Sequence, residues 1–118
     1  MLGLGDLEAV VMNLLWHANA PMRVREVRER CTTDLRRPAY TTIMTVLDNL
    51  HRKQWVHRRL DDGAYHYRPA LTREEATTRA LRRVLAESGD AEGALMHFVR
   101  SASAEESSAL ETALRKRR

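Results

Sequence analysis

The segment from residue 39 to residue 56, AYTTIMTVLDNLHRKQWV, constrains the fold most strongly because it has the pattern of one helix with two different faces. At 100° per residue, one side forms an apolar stripe of Ile43, Val46, Leu47 and Leu50. The other side carries short polar or charged side chains, namely Thr41, Thr45, Asp48, Asn49 and Arg52. The pattern therefore predicts a helix over residues 39–53 that packs on a core through one face and offers hydrogen-bonding groups on the other.

Composition narrows the setting of this helix. With 118 residues, 43% of them hydrophobic, the chain can bury a core without disulfides. The single Cys31 cannot pair within the chain, which favours a reducing compartment. No apolar run approaches the roughly 20 residues of a membrane helix, and the first residues lack a signal-peptide pattern. We therefore expect a cytoplasmic protein that does not insert into membranes.

Positive charge is concentrated around the two-faced helix. The whole chain carries a formal net charge of +4, and residues 36–68 contain seven Arg and Lys against three Asp, which alone gives +4. The remainder is therefore balanced. Such a local excess favours a polyanionic partner such as nucleic acid.

Two shorter helices are predicted before residue 39. The first begins at Asp6 and has an apolar i, i+3, i+4, i+7 pattern that ends near Trp16. Residues 22–24 form a candidate short strand, and residues 25–31 resume helical spacing with Val27 inward. A polar turn over residues 32–38 leads into the two-faced helix. Three helices in about 50 residues, with the polar face on the third, predict a helix-turn-helix arrangement.

The segment after this helix predicts a β-hairpin. Residues 55–60 and 64–68 alternate between apolar and polar side chains, and Asp61, Asp62 and Gly63 supply the turn between them. A basic hairpin beside a third helix is typical of the wing of a winged helix, which contacts the sugar-phosphate backbone of DNA.

The remaining residues predict three helices that cannot form a core of their own. Capping boxes begin at Thr72 and Ser103, and Gly89 ends the helix that follows the first of them. Only a few large apolar residues lie between the many alanines, so this region falls below the size at which a lone module is stable. We therefore expect a two-fold dimer. Its predicted contact residues are Leu81, Val84, Leu85, Leu95, Phe98, Val99, Leu110 and Leu114.

The predicted fold is thus mainly α with a small β-hairpin. It consists of a winged helix-turn-helix DNA-binding domain over residues 1–71 and a three-helix dimerisation region over residues 72–118. In the first domain, short polar side chains suit base edges in the major groove, and basic ones suit phosphate. The predicted base contacts are Thr41, Thr42, Thr45 and Asn49, and the predicted DNA-backbone contacts are Arg52, Lys53, Arg58, Arg59, His66 and Arg68. Asp48 would repel phosphate unless it accepts from a cytosine amino group or pairs with a nearby arginine.

Other functional classes have weaker sequence support. The five histidines lack metal-ligand spacing and a cysteine pair, so no metal site or cofactor is predicted. No phosphate loop, nucleophile elbow or framed carboxylate pair indicates an enzyme. Two alternatives stay open, namely a winged-helix module that binds proteins and a DNA-binding regulator that senses a ligand or metal.

Four segments resemble the BlaI/MecI/CopY penicillinase-repressor family of bacterial transcription factors: LGDLEAVVMNLLW, AYTTIMTVLDNLHRKQWV, RRLDDGAYHYRP and ALMHFVRSASAEESSALETAL. The resemblance covers nearly the whole chain. Its most specific parts are the YTT-hydrophobic-MTVL helix and the position of Phe98 ahead of the last capped helix.

The resemblance implies a homodimeric winged-helix repressor that binds an inverted-repeat operator. In BlaI- and MecI-like members a membrane sensor of β-lactams triggers proteolysis just before a phenylalanine, and the repressor leaves DNA. Here that bond would join His97 and Phe98, with His97 standing where the familiar members have Asn. CopY-like members carry paired cysteines near the C-terminus, whereas this chain has no cysteine after Cys31. The resemblance therefore disfavours the metal-sensing branch. It implies that the protein controls β-lactam response genes.

Overall fold

A computed structural model of the protein describes residues 4–31 and 37–117. Six helices and three strands are found in these ranges, in agreement with the predicted fold class. In chain order they are α1 (Asp6–His17), β1 (Met22–Arg23), α2 (Val24–Arg30), α3 (Tyr40–Arg52), β2 (Val56–Asp61), β3 (Ala64–Pro69), α4 (Arg73–Glu87), α5 (Ala91–Ser101) and α6 (Ala104–Lys116). Most of the predicted turn over residues 32–38 lies outside the described residues. No described helix is long and apolar enough to cross a membrane.

The described chain divides into two compact units, the first ending at Ala80 and the second beginning at Leu81. The division falls inside α4, whereas the sequence places the domain boundary between residues 71 and 72, just before this helix begins. The first turns of α4 belong to unit 1. Ala76, on these turns, is buried with a relative exposure of 1%.

Unit 1 is built around the helix with two faces. The predicted inward residues Ile43, Leu47 and Leu50 of α3 are fully buried, and Val46 packs against the same core. This core also contains side chains from both other helices and from the sheet, namely Val11, Met12, Leu15, Val27, Val56 and Tyr67. The apolar periodicity of α1 and α3 is thus confirmed as the source of the core.

The predicted wing is a hairpin with one additional strand. β2 and β3 pair antiparallel, and β1 pairs with the other side of β3 through Met22 opposite Tyr67 and Arg23 opposite His66. The two loop residues, Asp62 and Gly63, both have positive φ, as a tight hairpin turn of the type I′ class requires. This turn fixes the register, so that Arg58 lies opposite Tyr67.

A Schellman motif ends α3 and directs the chain into β2. Gln54 adopts the left-handed conformation at φ 66°. Its N–H donates to the carbonyl of His51 at 3.0 Å, and the N–H of Trp55 donates to that of Leu50 at 2.9 Å. The wing therefore follows the third helix with no intervening loop of its own.

The start of α4 is attached to α1 within unit 1. The indole N–H of Trp16 donates to the carbonyl of Leu71 at 2.8 Å, and its ring faces Trp55 with 6.5 Å between ring centroids. Arg73 donates to the Asn13 side-chain oxygen at 2.8 Å and lies over the Trp16 ring. The predicted capping box is confirmed by the Glu75 N–H, which donates to Thr72 Oγ1 at 3.0 Å.

Unit 2 contains the end of α4 together with α5 and α6. The side chain of Asp90 caps α5 by accepting from the Gly93 N–H at 3.0 Å. The predicted capping box of α6 is confirmed, because Ser103 Oγ accepts from the Glu106 N–H and Glu106 accepts from the Ser103 N–H. Gly89 has positive φ after α4, which suits a helix stop. Neither α5 nor α6 contains a buried residue.

Candidate nucleic-acid interface

The outward face of α3 presents three of the four predicted base-contacting residues to solvent. Thr41, Thr42 and Thr45 are exposed on the first half of the helix. Asn49, one turn after Thr45, is half-buried, and its side-chain oxygen accepts a hydrogen bond from Arg52. The threonine hydroxyls and methyls can meet base edges or a thymine methyl in a major groove. Asn49 can do so only if it gives up or shares the hydrogen bond to Arg52.

Two larger side chains on α3 were missed by the sequence reasoning. Tyr40 and Met44 are 48% and 39% exposed, and they line a cleft of about 590 Å³ between α3, the start of α2 and the hairpin. Their spacing of four residues, continued by Asp48, marks a second stripe beside the threonines. This stripe could have been found by extending the helical wheel to the residues between the apolar and polar faces.

Lys53 is positioned differently from the other predicted backbone contacts. Its ammonium pairs with the Glu8 carboxylate of α1, with Nζ to Oε1 at 2.9 Å and Nζ to Oε2 at 3.0 Å. Partial burial by itself raises the pKa of Glu8, but the Gly5 N–H and Lys53 together outweigh burial and lower this pKa below its ordinary value. Lys53 thus fastens the end of α3 to α1, while Arg52 is exposed.

Asp48 has an arginine partner in the wing. Arg58 Nη1 donates to Asp48 Oδ1 at 3.0 Å, so the second of the two solutions offered by the sequence is the one observed. The guanidinium also lies over the Tyr65 ring, 4.3 Å from its centroid. The Tyr67 hydroxyl is the main cause of a raised pKa at Arg58, with Tyr65 and Asp48 adding to it, whereas burial opposes the shift. The guanidinium of Arg58 is therefore already paired with groups of the same chain.

The predicted wing contacts divide between the two faces of the sheet. Residues paired across an antiparallel ladder share a face, and successive residues alternate. Arg58 therefore lies on the face of Tyr67, which is buried in the core. Arg59 pairs with His66, and Arg68 pairs with His57, so these residues lie on the opposite face. Arg59 and Arg68 are exposed and His66 is half-buried.

A hydrogen bond from α2 reaches the segment leading into α3. Arg28 Nε donates to the Pro38 carbonyl at 2.9 Å. The second helix of the helix-turn-helix thereby positions the first turn of the third, where the exposed threonines begin.

The described residues contain no cluster suited to a metal ion. Within residues 4–31 and 37–117, no three His, Cys, Asp or Glu side chains are grouped as a metal site would need. Cys31 is buried, and burial raises the pKa of its thiol. A thiol in this state behaves as a core side chain.

The predicted dimerisation residues all lie in unit 2, on the end of α4 and on α5 and α6. In the single chain they are exposed by between 36% and 63%, except for Leu85, which is half-buried; the exposed ones are Leu81, Val84, Leu95, Phe98, Val99, Leu110 and Leu114. Met96, which the sequence reasoning did not select, is also 50% exposed. His97, the other residue of the predicted cleavage bond, is exposed within α5.

A known DNA-bound structure shares this fold. A mutant of S. aureus MepR, described as bound to an oligodeoxyribonucleotide, superposes with a TM-score of 0.53. The match covers 98% of this chain and 78% of that one at 17% sequence identity. At this identity the likeness concerns the fold alone.

Sequence comparison is more specific. The family model described as penicillinase repressor matches residues 4–116. Transcriptional regulator BlaI of Mycobacterium tuberculosis, from two strains, is 42% identical over 114 residues, which cover 94% of this chain and 82% of the relative. The range matched by the family model includes the two-faced helix, the wing and the helices after it. The chain belongs to the penicillinase repressor family of transcriptional regulators.

Proposed function

We propose that this family member is a homodimeric repressor that binds an inverted-repeat operator in double-stranded DNA. The observation that carries the proposal is the outward face of α3, where Thr41, Thr42 and Thr45 are exposed and have no role in the core. This face belongs to the third helix of a helix-turn-helix, the element that enters the major groove in such proteins.

The basic residues beside α3 support a phosphate-binding role. Arg52 is exposed at the end of the helix, and Arg59 and Arg68 are exposed on the outer face of the sheet. Contacts of this kind set the position of the protein on DNA, while the threonines select the sequence. Because the exposed threonines are short, much of the affinity comes from backbone contacts and from having two copies.

The second copy is proposed from the apolar side chains of unit 2. Leu95, Phe98 and Val99 are each about half exposed on one helix of a single chain. An apolar surface of this kind marks an interaction site. A two-fold dimer would cover the same surface on both chains and would place two α3 helices on one operator.

In this proposal, release from DNA follows because dimerisation and operator binding are coupled. Each monomer holds one half-site, so losing the dimer lowers operator affinity without altering α3. Signal-dependent cleavage between His97 and Phe98, by a protease coupled to a membrane β-lactam sensor, would have this effect and would control β-lactam response genes. The bond lies within α5, so the helix would have to open locally before a protease could cut it.

Binding-site selection with the full chain tests the proposal. We expect recovered duplexes to contain two symmetric half-sites, with their centres one helical turn or a multiple apart. Anisotropy titrations of a recovered duplex and a scrambled duplex, at several salt concentrations, should show preference for the first and a loss of affinity with salt. Recovery of no symmetric site, or binding that ignores salt, would contradict the proposal.

A further inference from the structure

The ion pair between α3 and the wing joins the two elements that are proposed to touch DNA. Asp48 lies on α3 two turns after Tyr40, and Arg58 lies near the start of β2. Their side chains are 47% and 27% exposed, so the pair is at the surface but the arginine is the more covered partner. The segment between them contains the helix end and the Schellman motif.

Two contacts hold the Arg58 side chain in one place. The carboxylate of Asp48 accepts from Nη1 at 3.0 Å, and the Tyr65 ring lies with its centroid 4.3 Å from the guanidinium carbon. The buried Tyr67 lies opposite Arg58 in the ladder, on the same face of the sheet. A planar guanidinium can form an ion pair at its edge while stacking through its face, which a lysine ammonium cannot do. The contacts of Arg58 therefore link α3 to both strands of the hairpin.

We propose that Asp48 and Arg58 form a strut that fixes the wing relative to α3, so that both are positioning residues for operator binding and not DNA contacts. The inference rests on the proposed function. It accounts for an acidic side chain on a DNA-reading helix, because Asp48 then neutralises Arg58 and holds it away from phosphate. It also reassigns Arg58, which the sequence grouped with Arg59 among the backbone contacts.

The strut and a direct phosphate contact by Arg58 predict opposite changes in operator affinity for Asp48→Asn. If Asp48 merely repels DNA, removing its charge tightens binding to every duplex. If it holds the strut, Asp48→Asn releases the wing, and operator affinity falls while affinity for a scrambled duplex does not. We expect the operator-to-scrambled affinity ratio to fall by up to about fivefold, because an ion pair with a partner this exposed contributes modestly.

Arg58→Lys separates the same alternatives without changing net charge. A lysine contacts phosphate as a point charge, so a direct contact would survive. A strut would not, because an ammonium cannot both pair with Asp48 and stack flat on Tyr65. The matched control is Arg79→Lys, an exposed arginine on α4 outside the proposed DNA contacts, which should leave the affinity ratio unchanged.

The experiment is an anisotropy titration of the full chain with a duplex recovered by wild-type selection and with a scrambled duplex of the same composition. The variants are Asp48→Asn, Arg58→Lys, Arg58→Gln and the double variant Asp48→Asn with Arg58→Gln. The strut predicts that the double variant loses no more selectivity than either single, since both singles break one unit. It also predicts that the double variant retains the wild-type salt slope, whereas loss of a phosphate contact would lower that slope by about one.

Each outcome is decisive. Tighter operator binding by Asp48→Asn, unchanged selectivity of Arg58→Lys, or additive losses in the double variant would each overturn the strut. Thermal unfolding of every variant is measured beside the titrations; if Asp48→Asn unfolds, Arg58→Lys alone decides. Wild-type protein that fails to prefer any duplex would instead remove the proposed function, so the two failures can be told apart.

Discussion

The two units of the chain treat their apolar residues in opposite ways. Within the described ranges, every buried apolar side chain lies at or before Ala76, and the core of unit 1 includes fully buried residues such as Ile43 and Leu47. In unit 2, the larger apolar side chains remain about half exposed, among them Phe98 and Leu114. Unit 1 therefore has a self-sufficient core, whereas unit 2 has helices whose apolar faces are not covered by their own chain.

This difference indicates that unit 1 provides folding stability within one chain and that unit 2 is suited to association with a second chain. Burial of apolar area drives folding, so unit 1 has its stabilisation inside a single chain. Unit 2 gains a comparable stabilisation only if another surface covers its apolar side chains. In the proposed dimer, that surface is formed by the same helices of a second copy. Its stability would then depend on protomer concentration. Four predictions test this contrast, in order of decreasing effect.

Leu47→Ala should produce the largest effect on stability. Leu47 is fully buried in unit 1, and its truncation leaves a cavity that costs about 2–5 kcal/mol. Chemical denaturation should show this loss at every protein concentration. The matched variant is Leu114→Ala in unit 2, which is 63% exposed in one chain. Its effect should grow as the protein is diluted through the dimer equilibrium; equal, concentration-independent losses in both variants would remove the contrast.

Phe98→Asp should separate the two copies. A buried charge at an aromatic interface position costs about 2–4 kcal/mol of association, so the dimer should dissociate at concentrations where the wild type is paired. Sedimentation velocity measures this, and circular dichroism should show that unit 1 keeps its helices. Thr78→Asp adds the same charge at an exposed position of α4 within unit 1 and should remain dimeric. A dimeric Phe98→Asp protein would place the interface elsewhere.

Thr45→Ala and Arg59→Ala should divide sequence reading from phosphate binding within unit 1. Loss of a base contact at Thr45 should weaken operator binding by about 1 to 3 kcal/mol and relax selectivity at one base pair. Loss of Arg59 should weaken operator and random DNA alike and lower the salt slope by about one. Anisotropy titrations measure both, with the exposed α4 variant Thr78→Ala as control. The division of labour would be wrong if both variants lost selectivity equally.

Acid should remove a small contribution to the stability of unit 1. The pKa of Glu8 is lowered in the folded chain, so its stabilising effect is complete above its unfolded value near 4.5 and is lost as the pH falls through the folded value. Because Lys53 is nearly half exposed, the pair is worth below about 1 kcal/mol. Denaturation of Glu8→Gln should show this deficit at pH 7, and the deficit should shrink as the pH is lowered below 4.5. A deficit of equal size across this pH range would assign the effect to packing.

Local patterns allowed much of this fold to be predicted. The apolar periods of α1 and α3 depend on residues within a few positions of each other, as do the capping boxes at Thr72 and Ser103. The two-residue turn at Asp62 and Gly63 fixes the hairpin register by itself. Each of these patterns lies within one short segment, so it can be recognised from the sequence alone.

The charge contacts of the site depend on how separate elements are placed. The partner of Lys53 is Glu8, 45 residues earlier, and no spacing rule connects the two. The strand β1 is only two residues long and is defined only by its pairing with β3. Arg58 and Arg59 are neighbours in the sequence, yet the pleat puts them on opposite faces. Their similar chemistry led the sequence reasoning to give them one role.

The most direct test of the central claim is sedimentation velocity of the full wild-type chain at low micromolar concentration. If the exposed apolar faces of unit 2 are covered by a second copy, the protein should sediment with the mass of two chains and shift toward one chain on dilution. A protein that sediments only as a single chain across that range would contradict the proposed dimer, and with it the account of operator binding by two copies of α3.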